Sequence, residues 1–177
     1  LTGDEIEARV ARAHTAYTRW RVSDLADRTA LLERIAEQFD ANKRRVAEIA
    51  TREMGKTLKS AIAEVEKCAA GFRYYAQEGP ALLAPVEIPG KGRALWQPTG
   101  VVLAVMPWNF PYWQVVRFLA PAIMAGNTGL LKHASNVQGC AAAIEEMVVA
   151  AGAPAGIFQN LAITSGKVEA LIADPRI

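Results

Sequence analysis

A side-chain amide held between two prolines is the most chemically suggestive feature of the sequence, in Pro107-Trp108-Asn109-Phe110-Pro111. It follows the unbroken apolar run Val101-Val102-Leu103-Ala104-Val105-Met106, the composition of a strand buried on both faces. Ligand crevices open beyond the carboxyl ends of such strands. An Asn amide placed there can donate to a developing oxyanion, an interaction typically worth about 10²–10³ in rate. The two prolines, with φ fixed by their rings, would keep the loop stiff. The same residues also fit a proline-rich turn around a buried Trp. A second element, Ala125-Gly126-Asn127-Thr128-Gly129-Leu130-Leu131-Lys132-His133-Ala134-Ser135, carries a lysine after another apolar run. Lys132 would end the second strand facing the same crevice, where its ammonium can donate to ribose hydroxyls or a phosphate. The competing reading is a solvated lysine.

The elements that must position these groups follow from hydrophobic period. Ile6, Val10, Ala13, Tyr17 and Trp20 recur at helical spacing. Ser23 or Asp24 can cap a second helix, whose stripe is Leu31, Leu32, Ile35 and Phe39. Val46, Ile49, Ala50 and Met54 continue that pattern up to Gly55, a natural stop. Thr57 opens a third helix with Ile62, Val65 and Ala69 on its buried face, ending near Gly79-Pro80. Residues 84–100 are punctuated by Pro and Gly around short β-prone runs such as Arg93–Gln97, which predicts a hairpin or connecting strands. From residue 101 strands alternate with helices: strands at 101–106, 128–132 and 157–163, helices at about 114–125, 141–151 and from 167. That order implies an α/β fold with a doubly wound parallel sheet. The divisions are 1–83 (helical), 84–100 (β connection) and 101–177 (β-α-β-α-β half).

Composition narrows the class. Hydrophobic residues make up 51% and charged residues 21% of 177 residues, which suits a folded core. A net charge of +2, with basic and acidic residues interleaved, gives no support to nucleic-acid binding. The apolar stretches are too short to span a bilayer, and Leu1–Glu5 has no signal-peptide character, so a cytoplasmic location and no membrane partner are expected. Cys68 and Cys140 lack CxxC partners and read as buried structural thiols, and no metal site is expected. Ser165-Gly166-Lys167 fails as a P-loop, with Leu161 where its first Gly belongs and Val168 where Ser or Thr should follow. His14 reads as a surface residue and His133 as a packing residue, with a donor role as the alternative.

Together the pentapeptide and the Gly126-Asn127-Thr128…Leu131-Lys132 element, about twenty residues apart, resemble the aldehyde dehydrogenase superfamily. Trp20-Arg21, Glu53-Met54-Gly55-Lys56 and Glu64-Val65 extend the likeness over essentially the whole chain. The resemblance implies an aldehyde dehydrogenase-like fold: N-terminal helices plus the first part of a Rossmann-type sheet. It implies that Asn109 supplies the side-chain half of an oxyanion hole, that Met106, Pro107 and Trp108 line a cofactor cleft, and that Lys132 holds the adenosine ribose. Three residues later, NAD-preferring members often carry Glu, which repels a 2′-phosphate. Here Ser135 leaves room for that phosphate, so NADP is favoured, with NAD the alternative. Arg117, eight residues after Asn109, matches the place where members acting on succinate semialdehyde carry an Arg, able to pair with a distal carboxylate. The alternative for Arg117 is a surface ion pair. Phe118 and His133 depart from the Lys and Pro that many members have there.

In that family a Cys thiolate attacks the aldehyde, hydride passes to nicotinamide, and a Glu base activates water. The segments that carry that Cys and Glu (Gly-Gln-x-Cys and Glu-Leu-Gly-Gly) do not occur in this sequence. The expectation is therefore an incomplete domain of an NAD(P)-dependent enzyme oxidising a small aldehyde, succinate semialdehyde first, and a homo-oligomer at full length. By itself it is expected to be inactive. The alternatives are an enzyme for another small aldehyde, or a non-catalytic module binding a nucleotide or a partner.

Overall fold

The computed structural model describes all residues, Leu1–Ile177. Four helices come first: α1 (Gly3–Trp20), α2 (Leu25–Ala41), α3 (Lys43–Met54) and α4 (Leu58–Leu82). Thr2 opens α1 with a reciprocal capping box: its hydroxyl accepts from the Glu5 N–H while the Glu5 carboxylate accepts from the Thr2 N–H. Thr57 caps α4 through the Ser60 N–H, and Gly55 closes α3 in the left-handed conformation at φ 77°. Asp24 stands at the start of α2 without a side-chain cap bond, and the Ser23 hydroxyl turns back to the Trp20 carbonyl. The expected cap oxygen is thus not used there.

Two helix boundaries differ from the sequence expectation. The segment read as one continuing helix over 25–54 is broken at Asn42, whose backbone leaves helical geometry at φ −100° and ψ 6° while its side-chain amide donates to the Gln38 carbonyl. Conversely, α4 runs through Pro80. The missing N–H leaves the Ala76 carbonyl without its helical donor, and the Thr29 hydroxyl of α2 takes that place at 3.4 Å.

Strands β1 (Val86–Ile88) and β2 (Gly92–Ala94) form an antiparallel hairpin whose residues are all exposed. The rest alternates: β3 (Val101–Met106), α5 (Trp113–Met124), β4 (Thr128–His133), α6 (Gln138–Ala150), β5 (Phe158–Asn160) and α7 (Val168–Ile172). The three longer-range strands make a parallel sheet in the order β3-β4-β5. Strand β5 is shorter than the expected 157–163, and β2 stops before Leu95.

The period-two alternation of the strands sends side chains to two cores. Ala104, Leu131 and Phe158 join the large core shared by α2 to α6. Val101, Leu130 and Leu161 join a smaller core with Val10 and Ala13 of α1 and Leu171 of α7. Helices therefore cover both faces of the sheet, as a doubly wound arrangement requires. Arg28, buried near the start of α2, ties the helical part to the end of α5 by donating to the carbonyls of Trp20, Arg21, Ser23 and Met124. Gly126, at φ +90°, lies over that guanidinium so closely that a Cβ would stand 2.8 Å from it.

Candidate functional site

The register of the parallel strands decides what comes together. Val105 pairs with Lys132 and Met106 with His133, so the chain leaves β3 and β4 at the same edge of the sheet. Residues 107–111 cross that edge as a loop, and Ala134 and Ser135 follow directly beside it. Pro107, Trp108, Asn109 and Phe110 are exposed, Met106 is half-buried, and Pro111 is buried. The carboxyl edge thus gathers Met106, Pro107, Trp108, Asn109, Lys132 and Ser135. Arg117 stands apart on the second turn of α5, exposed, with a 3.4 Å contact to Gln114 Oε1.

The loop is held from several sides. At its end, the buried carboxylate of Glu64 accepts from the Tyr112 and Trp113 N–H groups at 2.9 Å each, serving orphan donors at the start of α5. The other oxygen of Glu64 pairs with the Lys56 ammonium, and both side chains are nearly sealed from solvent. The same ammonium lies 4.1 Å from the centroid of the Phe110 ring, a cation–π contact. The Tyr112 hydroxyl donates to the Val46 carbonyl at 2.7 Å, anchoring the loop to α3. From the sheet side, His133 meets the Pro111 carbonyl through Nε2 at 2.8 Å, and the Ala134 N–H donates to the Met106 carbonyl at 3.1 Å.

Within this frame the groups that face outward are free. No hydrogen bond of the chain engages the Asn109 amide, and the half-buried Lys132 ammonium has no carboxylate partner. An unengaged amide on a braced loop and an unengaged ammonium at the same sheet edge can each donate to a ligand without first breaking internal bonds. The helix that follows β4 offers no third donor site. Glu53 from the end of α3 accepts from the Gly139 and Cys140 N–H groups at 2.7 and 2.9 Å and so closes the N-terminus of α6 to phosphate.

The cysteines are not reactive groups. Cys68 and Cys140 are buried and free, and burial pushes both thiols above their ordinary value. A nucleophilic cysteine needs the opposite environment, exposed and electropositive. Burial likewise raises the Tyr112 phenol, with Cys140 beside it. No group of three or more His, Cys, Asp or Glu side chains is arranged to hold a metal, and no helix is long and apolar enough to cross a membrane.

Sequence reasoning left Glu53, Glu64 and Lys56 without roles and favoured packing for His133. The first three act over separations of 86, 48 and 8 residues, for which no local pattern exists. The signal for His133 was its position: a polar ring at the end of a buried strand needs partners for both nitrogens.

Comparison with known proteins gives the family. The aldehyde dehydrogenase family matches residues 1–177. The succinate-semialdehyde dehydrogenase [NADP(+)] 1 of Mycobacterium tuberculosis is 49% identical over 182 residues, covering 99% of this chain and 40% of the relative. The corresponding NADP(+) enzyme of Mycobacterium leprae is 48% identical with the same coverage. A crystal structure of succinic semialdehyde dehydrogenase from Streptococcus pyogenes in complex with NADP+ superposes with a TM-score of 0.94 at 41% identity, over 99% of this chain and 39% of that one. The chain spans about 40% of the length of the curated relatives it matches. With its whole length matched and its strands ordered in a parallel sheet covered by helices on both faces, the chain belongs to the aldehyde dehydrogenase family.

Proposed function

We propose that this chain forms the oxyanion and cofactor side of an NADP-dependent aldehyde dehydrogenase that oxidises succinate semialdehyde to succinate. One observation carries the reading: the Asn109 amide, free of internal hydrogen bonds, stands on a loop braced by Glu64, Lys56 and His133, at the sheet edge where Lys132 has no carboxylate partner. The relatives' names support the cofactor and substrate.

In this reading Asn109 donates to the oxygen of the aldehyde as negative charge develops there. Lys132 and Ser135 fit the adenosine end of a dinucleotide: one free ammonium, one exposed hydroxyl, and no carboxylate at the Ser135 position to repel a 2′-phosphate. Met106, Pro107 and Trp108 line the cleft. When bound, the nicotinamide supplies the hydride acceptor. Arg117 pairs with the distal carboxylate of the substrate, which its exposed guanidinium is free to do at the cost of a weak contact to Gln114. The nucleophile and the base come from segments outside this sequence, since neither buried cysteine suits that role. The hairpin of β1 and β2, with Val86, Ile88, Leu95 and Trp96 exposed, is where association between copies would place its contacts. The two free thiols suit a reducing, cytoplasmic compartment.

The test is an aldehyde panel against NADP+ and NAD+ in a chain of the relatives' full length carrying this sequence. Succinate semialdehyde with NADP+ should give the highest kcat/KM. Arg117→Ala should raise KM for succinate semialdehyde about tenfold or more, the cost of a lost charge-assisted pair, and leave KM for an uncharged aldehyde of similar length unchanged. Equal effects on the two would remove the substrate assignment. Ser135→Glu should shift the NADP+/NAD+ ratio of kcat/KM toward NAD+ by about tenfold or more through like-charge repulsion. A ratio that stays put would remove the role given to Ser135.

A further inference from the structure

His133 is a buried titratable group that touches neither of the proposed ligands, yet three polar groups converge on its ring. The Pro111 carbonyl lies 2.8 Å from Nε2, the Ala134 N–H points at Nδ1 from 3.0 Å, and the Met106 carbonyl lies 3.3 Å from Nδ1. A neutral imidazole carries one proton. With it on Nε2, the ring donates to Pro111 and accepts from Ala134, and both short contacts are satisfied. With it on Nδ1, the ring would gain the longer 3.3 Å contact to Met106, but the Ala134 N–H would face a donor and the 2.8 Å Pro111 carbonyl would face a lone pair. The geometry therefore selects the Nε2–H tautomer.

Met106 and Pro111 bracket the loop that carries Asn109. The Met106 carbonyl also receives the Ala134 N–H, so the end of β4 gathers both ends of the loop. On its far side the loop is held by Glu64 and Lys56, which belong to the helical part. Only the His133 contact ties the loop's closing residue to the strand that bears Lys132.

We propose that His133 is a positioning residue: its neutral ring, donating from Nε2 to the Pro111 carbonyl, locks the Asn109 loop in register with Lys132 and so holds the oxyanion donor and the cofactor lysine in one fixed relation. This deepens the oxyanion reading of Asn109 and rests on it. Burial holds the ring neutral by lowering its pKa. The Pro111 and Met106 carbonyls and Glu53 of α3 act against that shift, and the adjacent Lys132 adds to it. The sign for stability follows. The unfolded chain binds a proton near pH 6.5 and the folded chain resists it, so this contribution is intact above about pH 6.5 and is lost as pH falls through the lowered folded value.

The first test needs no variant. The 177-residue chain has two histidines, so nitrogen-15 NMR resolves both rings. His133 should show an Nε2–H tautomer at neutral pH and take up its proton only below the ordinary value of 6.5. An Nδ1–H tautomer, or protonation at or above that value, would overturn the proposal. The second test is kinetic, in a chain of the relatives' full length. His133→Leu fills the space without a donor, and kcat should fall about tenfold, with KM for NADP+ changed less than kcat. His133→Gln restores an N–H donor and should recover most of that loss. Equal losses in both variants would reduce His133 to packing and sink the proposal. In an Asn109→Ala background His133→Leu should cost no further kcat, because the group it positions is gone; an additive loss would count against it. Unchanged kcat in Asn109→Ala alone would instead overturn the oxyanion reading, and the ring's tautomer would still report on the clamp separately.

Discussion

Asn109→Ala should lower kcat by about 10²–10³, equivalent to roughly 2.7–4 kcal/mol of lost transition-state stabilisation, with little change in affinity for NADP+. The expectation rests on what the amide does in the folded chain, which is nothing internal: it is exposed and makes no hydrogen bond that the fold needs. Its removal should leave Tm unchanged, so any loss of rate belongs to chemistry. A donor aimed at the developing oxyanion contributes more in the transition state than in the ground state, so kcat and kcat/KM should fall together. A variant in which only KM rises would mean that Asn109 merely binds substrate. The measurement is steady-state kinetics alongside a thermal melt, in a chain of the relatives' full length.

Glu64→Ala should produce the largest loss of stability of any single carboxylate change, about 3–5 kcal/mol. Three donors lose their partner at once: the Lys56 ammonium and the N–H groups of Tyr112 and Trp113. All three lie in surroundings where water cannot easily take over, and an unpartnered buried charge costs far more than a salt bridge contributes. For a chain of this size each kcal/mol shifts Tm by about 2–4 °C, so a drop of roughly 6–20 °C is expected. Lys56→Met in the same background should recover part of it by removing the stranded charge. Glu66, two residues on, is a control: its pair with Lys43 is exposed, and Glu66→Ala should barely move Tm. Thermal melts of the 177-residue chain measure the shifts in Tm, and urea unfolding measures the free energies behind them. A Glu64→Ala chain as stable as the parent would mean that water reaches this pair after all.

The features legible in the sequence were those written in local period. The apolar run 101–106 became β3 with the bounds its composition indicates, and the lysine after the second run stands near the end of β4. Because the side-chain period of a strand and its carboxyl end follow from chain direction alone, the meeting of the 107–111 loop with Lys132 could be anticipated. Features that depend on distant partners could not. The apolar stripe passes straight through Asn42, where the backbone leaves helical geometry at φ −100° and ψ 6° and the side-chain amide bonds back to the Gln38 carbonyl. Pro80 reads as a helix end, yet Thr29 from another helix supplies what the proline lacks. The short β5 is limited by its parallel neighbour, to which it is joined only over Gly129–Leu131. His133 carried no periodic signature at all, since its importance lies in two carbonyls contributed by a different strand and loop.

The carboxylate of Glu53 at the head of α6 also sets a clock. Its partners come 86 and 87 residues later in the chain. A ribosome adding about 5–20 residues per second needs roughly 4–17 s to reach them. For the part of that interval between the completion of α4 and the synthesis of residue 112, α1 to α4 exist without α5 and α6, and the tilted pair Phe39 and Phe72, with centroids 5.5 Å apart, lacks the Tyr112 ring that packs edge-on against Phe39 in the finished core. The helices made first are a half-core waiting for its other half. Any delay in translation between residues 60 and 140 lengthens the time that this apolar surface stays open, and with it the need for a chaperone.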